Sequence, residues 1–160
     1  MIPLLRFAWK GLIRKLYKMS NELEEGLKLN LDFTKIAKVA ANIKEEKDHV
    51  IPVTIQHADT KEVILLAYTN RQAMELTFKT RTLTLWSTSR NVLWEKGKTS
   101  GESFEVLEAR VNCEQNSLVY FVRPRRSNIC HTKNKDGIPR NCYYRSVNLD
   151  DGETLTNLDP

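Results

Sequence analysis

Three cysteines, Cys113, Cys130 and Cys142, stand 17 and 12 positions apart in a chain of 160 residues. An odd count, with no A-x-A-like cleavage site after the N-terminal apolar run, argues against a disulfide framework. Where thiols stay reduced, those that matter bind metal or do chemistry. The spacing has no close pair, so it matches neither a zinc finger nor a zinc ribbon. Three separated thiolates that met in space would leave the fourth position of a tetrahedral zinc for water, the arrangement of a catalytic rather than a structural site. The alternative is three buried free cysteines acting as small apolar residues.

A second segment capable of chemistry is Trp86-Ser87-Thr88-Ser89-Arg90 with Leu93-Trp94-Glu95-Lys96-Gly97-Lys98-Thr99-Ser100-Gly101. Hydroxyls, cations and glycine N–H groups in one stretch suit a phosphate. The G-x-x-x-x-G-K-[ST] spacing of a Walker A loop is absent. A polar turn packed over two tryptophans is the other reading. The run Asn112-Cys113-Glu114-Gln115-Asn116 and the group Cys130-His131-Thr132 complete the set.

The elements that must position these residues follow from periodicity. Asn21–Lys47 reads as helix-prone, with an apolar stripe through Phe33, Ile36, Ala37, Val39 and Ala40 and Asp32 as a candidate N-cap. Val50–Gln56 and Glu62–Tyr68 read as a β-hairpin turning over His57–Lys61, and Thr69 or Asn70 caps a helix over Arg71–Lys79. Strands follow at Thr82–Trp86, Phe104–Val111, Leu118–Val122 and Asn141–Val147. In Phe104–Val111 the alternation slips between Val106 and Ala109. The loops left over are Ser87–Gly101, Asn112–Asn116 and Pro124–Arg140, where a rigid sheet would carry a site. Asn148–Pro160 reads as a polar, frayed tail. The expected class is α+β with a mostly antiparallel sheet and few helices. An incompletely covered sheet face favours a dimer.

Composition excludes some classes of function. The net charge is +5, but residues 1–20 carry Arg6, Lys10, Arg14, Lys15 and Lys18 with no acidic residue, so the rest of the chain is neutral. No basic body is present to neutralise many phosphates, and no nucleic-acid partner is expected. Residues 1–20 form a basic amphipathic pattern that suits a membrane surface, or else a simple extension upstream of Met19. The expected organisation is 1–20 extension, 21–147 single domain and 148–160 tail.

The stretches from about Val50 to Arg145 resemble the phosphoribosyl-AMP cyclohydrolase family of histidine biosynthesis. The matching residues are Gln56, Ala58, Ala67-Tyr68, Asn70, Trp86-Ser87, Ser89-Arg90 and Leu93-Trp94, followed by Lys96-Gly97, Thr99-Ser100-Gly101, Cys113, Cys130-His131-Thr132, Cys142 and Tyr144-Arg145. The resemblance implies the fold of that family, an intertwined homodimer and a zinc shared across it, with Cys113 from one chain and Cys130 and Cys142 from the other. It implies a cytoplasmic hydrolase whose substrate is a small nucleotide: activated water attacks carbon 6 of the adenine ring, made electrophilic by phosphoribosyl substitution at nitrogen 1, and the ring opens between the two. His131 is then the candidate proton shuttle. Trp86, Ser87, Ser89, Arg90, Lys96, Lys98, Thr99, Ser100 and Arg145 are candidates for holding the nucleotide and its phosphates.

Three departures stand against that pattern. Family members carry Asp-Cys-Asp-x-Asp around the first cysteine, whose aspartates bind magnesium. Asn112, Glu114 and Asn116 keep one carboxylate, so a degenerate, weakened magnesium site is expected. The family's His after Thr-Ser-Gly is replaced by Glu102, which could serve as acid or base only with a raised pKa. The connector between Cys130 and Cys142 is longer than usual and carries Lys133, Lys135 and Arg140. A relative turned to another purine-like nucleotide, or a non-catalytic zinc-binding protein, is the alternative.

Overall fold

The computed structural model describes residues 22–99, 101–126 and 129–160. The expected amphipathic segment at residues 1–20 lies outside them, as does Ser100. The chain divides into two compact units: among the described residues, one joins 22–31 to Arg145–Pro160, and the other is Asp32–Tyr144.

In the larger unit, the β-branched run Ile51–His57 (β1) pairs antiparallel with Val63–Thr69 (β2), as the hairpin pattern predicts. Asn70 then caps helix Arg71–Thr80 (here α2), its side chain accepting the Ala73 N–H at 2.8 Å and donating to the Lys47 carbonyl at 2.7 Å. Arg81 ends the helix in the left-handed region at φ 57°, its N–H on the Thr77 carbonyl. The buried Thr77 hydroxyl bridges helix to sheet, donating to the Thr84 carbonyl at 2.9 Å and accepting the Thr84 N–H at 3.0 Å.

Thr84–Ser87 (β3) forms a hairpin with Val92–Glu95 (β4). This strand lies inside the segment 87–101 expected to be loop. Flanking polar residues hide its short alternation, while Asn91 at φ 48° supplies the left-handed turn residue that closes it. Phe104–Val111 (β5) and Leu118–Pro124 (β6) complete a four-stranded sheet in the order β2-β1-β6-β5. Its β1–β6 contact is parallel and the other two are antiparallel. A register shift between Val106 and Glu108 is the physical cause of the slipped alternation in β5: one extra residue opposes β6. The class is thus α+β with mostly antiparallel pairing, as expected.

The core is Val53, Ile55, Ile64, Ala67, Leu83, Leu85, Phe104, Val106, Tyr120 and Val122. Phe78 of α2 meets Tyr120 edge-on, with ring centroids 6.0 Å apart.

The N-terminal helical expectation is corrected. Helix α1 spans only Lys35–Ala41, with a 3-10 turn at Glu46–Asp48. Thr34 rather than Asp32 is its N-cap. Asp32 instead accepts the Thr34 N–H and the Lys38 ammonium, a local turn that competes with helix. Of the apolar stripe only Val39 is buried, and Phe33 is 90% exposed.

In the smaller unit, residues 22–25 are helical and Arg145–Val147 (β7) pairs antiparallel with Leu155–Asn157 (β8). The stretch expected to fray therefore contains a strand, because Leu155 is buried and its N–H reaches the Leu27 carbonyl at 2.8 Å. β7 is shorter than the expected Asn141–Val147, since Asn141 accepts the Tyr143 N–H and turns the chain there. Among the described residues no helix is long and apolar enough to cross a membrane.

Candidate metal centre and nucleotide site

Cys130 and Cys142 are brought together by a connector that folds on itself. The Arg140 N–H donates to the Thr132 carbonyl at 3.0 Å, and Lys133 bridges Pro139. At the tip, Asn134 Oδ1 accepts the N–H groups of Asp136 at 3.1 Å and Ile138 at 2.9 Å. Arg140 is buried, stacks 4.3 Å from the centre of the Tyr144 ring and donates to the Lys133 carbonyl. It is an internal strut, whereas the sequence showed only that it is one of three cations on a long connector. Asn141 anchors the returning strand by donating to the Val63 carbonyl at 2.9 Å.

The outcome is a thiol pair. Cys142 donates to Cys130 with the sulfurs 3.5 Å apart. Thr132 Oγ1 lies 3.5 Å from Cys130 Sγ and His131 Nδ1 lies 3.6 Å from it. The Cys142 hydrogen bond brings the Cys130 thiol down to about 4, with Thr132 assisting and burial opposing. The same bond, together with burial, pushes the Cys142 thiol up, and the Lys96 ammonium opposes that rise. One proton is held between two sulfurs, with a cation nearby. Two thiolates at about 2.3 Å from a tetrahedral zinc sit about 3.8 Å from one another, so the pair has the separation that zinc requires.

Cys113 is elsewhere. It is exposed and follows the end of β5, where Val111 pairs with Leu118 and Leu118 pairs with Val53 near the start of β1. The thiol pair is tied to Val63, which faces Gln56 near the other end of β1. The third cysteine thus lies at the opposite end of the sheet. Among the described residues, no group of three or more metal-binding side chains forms within one chain. The structure brings two of the three expected ligands together.

Lys96, Gly97 and Glu102 lie by the start of β5, at the end of the sheet that bears the thiol pair, whereas Thr88 and Asn91 at the β3–β4 tip bond to Asn42. The Lys96 N–H donates to the Leu83 carbonyl at 3.0 Å, and Lys96 Nζ lies 5.2 Å from the centre of the Phe104 ring. Gly97 has φ 89°, and a Cβ there would come within 2.3 Å of the Glu102–Ser103 peptide. Only glycine lets that turn close. Glu102 is half-buried behind it, and Thr99 and Lys98 are exposed. Trp86 is buried on β3, and its indole Nε1 has no hydrogen-bond partner among the described residues. Ser87 Oγ accepts from Arg90 Nε at 3.1 Å. Ser89 opens onto a cavity of about 360 Å³ with Lys35, Lys38 and Asn42, residues that sequence reasoning left out. Their signal was faint, because lysines of a short helix carry no spacing of their own. Arg145 belongs to the smaller unit, where Nη1 and Nη2 donate to the carbonyls of Gly26 and Leu23.

A larger cavity of about 630 Å³ opens where β1 begins and β2 ends, lined by Lys47, His49, Asn70, Arg71 and Met74 among others. Its position is at the end of the sheet that also bears Cys113. None of these lining residues except Asn70 was singled out by motif, since the cations come from two separate segments.

Comparison with known proteins now bears on this geometry. The family model described as phosphoribosyl-AMP cyclohydrolase matches residues 65–144. The chain is 41% identical over 103 residues to the phosphoribosyl-AMP cyclohydrolase of Cenarchaeum symbiosum, covering 64% of this chain and 90% of that protein. It is 43% identical over 102 residues to the protein of the same name from Archaeoglobus fulgidus, covering 64% and 89%. It is 40% identical over 105 residues to a histidine biosynthesis bifunctional protein of Thermus thermophilus, covering 66% and 46%. The matched region includes the thiol pair, Cys113, the Gly97 turn and α2, and the chain belongs to the phosphoribosyl-AMP cyclohydrolase family.

Proposed function

We propose that this enzyme hydrolytically opens the purine ring of 1-(5-phosphoribosyl)-AMP in the cytoplasm as a step of histidine biosynthesis, and that it does so as a zinc-dependent homodimer. The names of its relatives support the reaction. The observation that carries the zinc site is the pair of sulfurs 3.5 Å apart at one end of the sheet, with Cys113 at the other. In this reading Cys130 and Cys142 of one chain and the partner subunit's Cys113 hold the metal. Pairing the two ends would also set the partner's larger cavity beside the thiol pair.

A zinc ion held there supplies a water that loses its proton near pH 7. The net reaction adds water across the bond between nitrogen 1 and carbon 6. His131, beside Cys130, moves the proton from the water to the departing nitrogen. Glu102 serves as the second acid or base, a role that its half-buried position behind the Gly97 turn supports. Trp86, Ser87, Ser89, Arg90, Lys96, Lys98, Thr99 and Ser100 hold the nucleotide, and the Lys96 charge acts on the Cys142 thiol; Arg145, whose guanidinium donates to the Gly26 and Leu23 carbonyls, is left out of the set. Magnesium does not fit Asn112, Glu114 and Asn116, and no step depends on it.

A second reading, that the zinc protein acts on another purine-like nucleotide or not at all, is favoured by Glu102 and by the altered 112–116 loop. Purified full-length protein should contain zinc and open the ring of phosphoribosyl-AMP without added magnesium, followed by absorbance. Zinc without turnover supports the second reading, and a zinc-free protein that turns over refutes the mechanism.

A further inference from the structure

We propose that the loop at residues 112–116 is a cation-free brace for Cys113, in which side-chain amides do the holding that carboxylates around a divalent cation would otherwise do. The inference rests on the reading of Cys113 as a ligand. Asn112 Oδ1 accepts two backbone N–H groups, from Asn116 at 2.9 Å and Ser117 at 3.0 Å. Asn112 Nδ2 donates to Asn116 Oδ1 at 2.7 Å, and Asn116 Nδ2 donates to Glu114 Oε2 at 2.9 Å. The backbone closes the same ring: the Gln115 N–H donates to the Asn112 carbonyl at 3.0 Å, with Gln115 at φ 54°.

Asn112 Oδ1, Asn116 Oδ1 and Glu114 Oε2 are thereby already accepting N–H groups, and two Nδ2 groups sit among them as donors. Magnesium needs near-octahedral oxygen ligands and gives up its water reluctantly. Admitting it would break four hydrogen bonds in exchange for one carboxylate. The network instead fixes the backbone on both sides of Cys113 and leaves that thiol exposed, as a ligand offered to a second chain must be. Asn112 is the central positioning residue, because it alone ties side chain and backbone.

Amide exchange and manganese, as a paramagnetic stand-in for magnesium, test this on the intact protein. The Asn116 and Ser117 amides should be protected in the wild type, with no change on adding magnesium, and no manganese should be taken up. Asn112→Ala should speed their exchange by about tenfold or more and loosen zinc retention. Asn112→Asp keeps the acceptor and should keep the protection. The double variant Asn112→Asp, Asn116→Asp should take up manganese and make zinc retention depend on magnesium. Manganese uptake by the wild type that Glu114→Gln abolishes, or unchanged exchange in Asn112→Ala, overturns the brace. A double variant that takes up no manganese does so as well. A wild type without zinc or turnover defeats the catalytic reading, while amide exchange and manganese still decide this one.

Discussion

The hydrogen bond from Cys142 favours the thiolate of Cys130, and neither sulfur alone would explain the pairing. Cys130→Ser should therefore abolish both zinc content, measured by elemental analysis, and ring opening. Stability offers a separate check at Gly97, where an added methyl meets the Glu102–Ser103 peptide at φ 89°. Gly97→Ala should cost at least about 2 kcal/mol by urea unfolding. At this scale the sequence singles out the three cysteines but not their arrangement. It could not show that Cys130 and Cys142 touch while Cys113 does not, since that depends on how the connector folds. Nor could it show that Arg145 bonds to the carbonyls of Gly26 and Leu23, which are distant in sequence.

Helix α2 and β3 are joined by a single hydroxyl. Thr77→Val keeps the shape but leaves the Thr84 N–H and carbonyl without that partner in the core, at a cost of about 1–3 kcal/mol in unfolding free energy. Tyr120 of β6 gives a pH test. Burial raises its phenol from 10.0 to about 12, opposed by the Thr69 hydroxyl. A group whose pKa is higher folded than unfolded contributes stability in full below pH 10, and that contribution is lost as pH rises through 12. Tyr120→Phe should remove this alkaline fall, read as the urea-unfolding free energy at pH 7 and above pH 10. Long alternating or capped segments were legible: β1, β2, α2 and β5, down to the slip that marks the bulge. Short strands were not. β4 and β8 owe their existence to partners, β3 and β7, rather than to their own pattern.

On the scale of the molecule, the proposed sharing of a metal between Cys130 and Cys142 of one chain and the partner subunit's Cys113 is open to a mixing experiment. Cys113→Ser and Cys142→Ser should each be inactive. In a mixed dimer one site regains all three thiols, so random exchange of subunits should restore about a quarter of wild-type activity. No recovery despite exchange would show that the metal is not shared. The antiparallel character of the sheet was readable, but its order was not, because no local pattern announces that β1 lies beside β6. That arrangement has a consequence during synthesis. Val53 emerges from the ribosome long before Leu118, its parallel neighbour, so the middle of the sheet cannot form until most of the chain exists. Until then the β1–β2 hairpin exposes a bare edge rich in Val and Ile. Slowing translation between the two strands should therefore increase aggregation of the nascent protein, and a chaperone that shields apolar hairpins should relieve it.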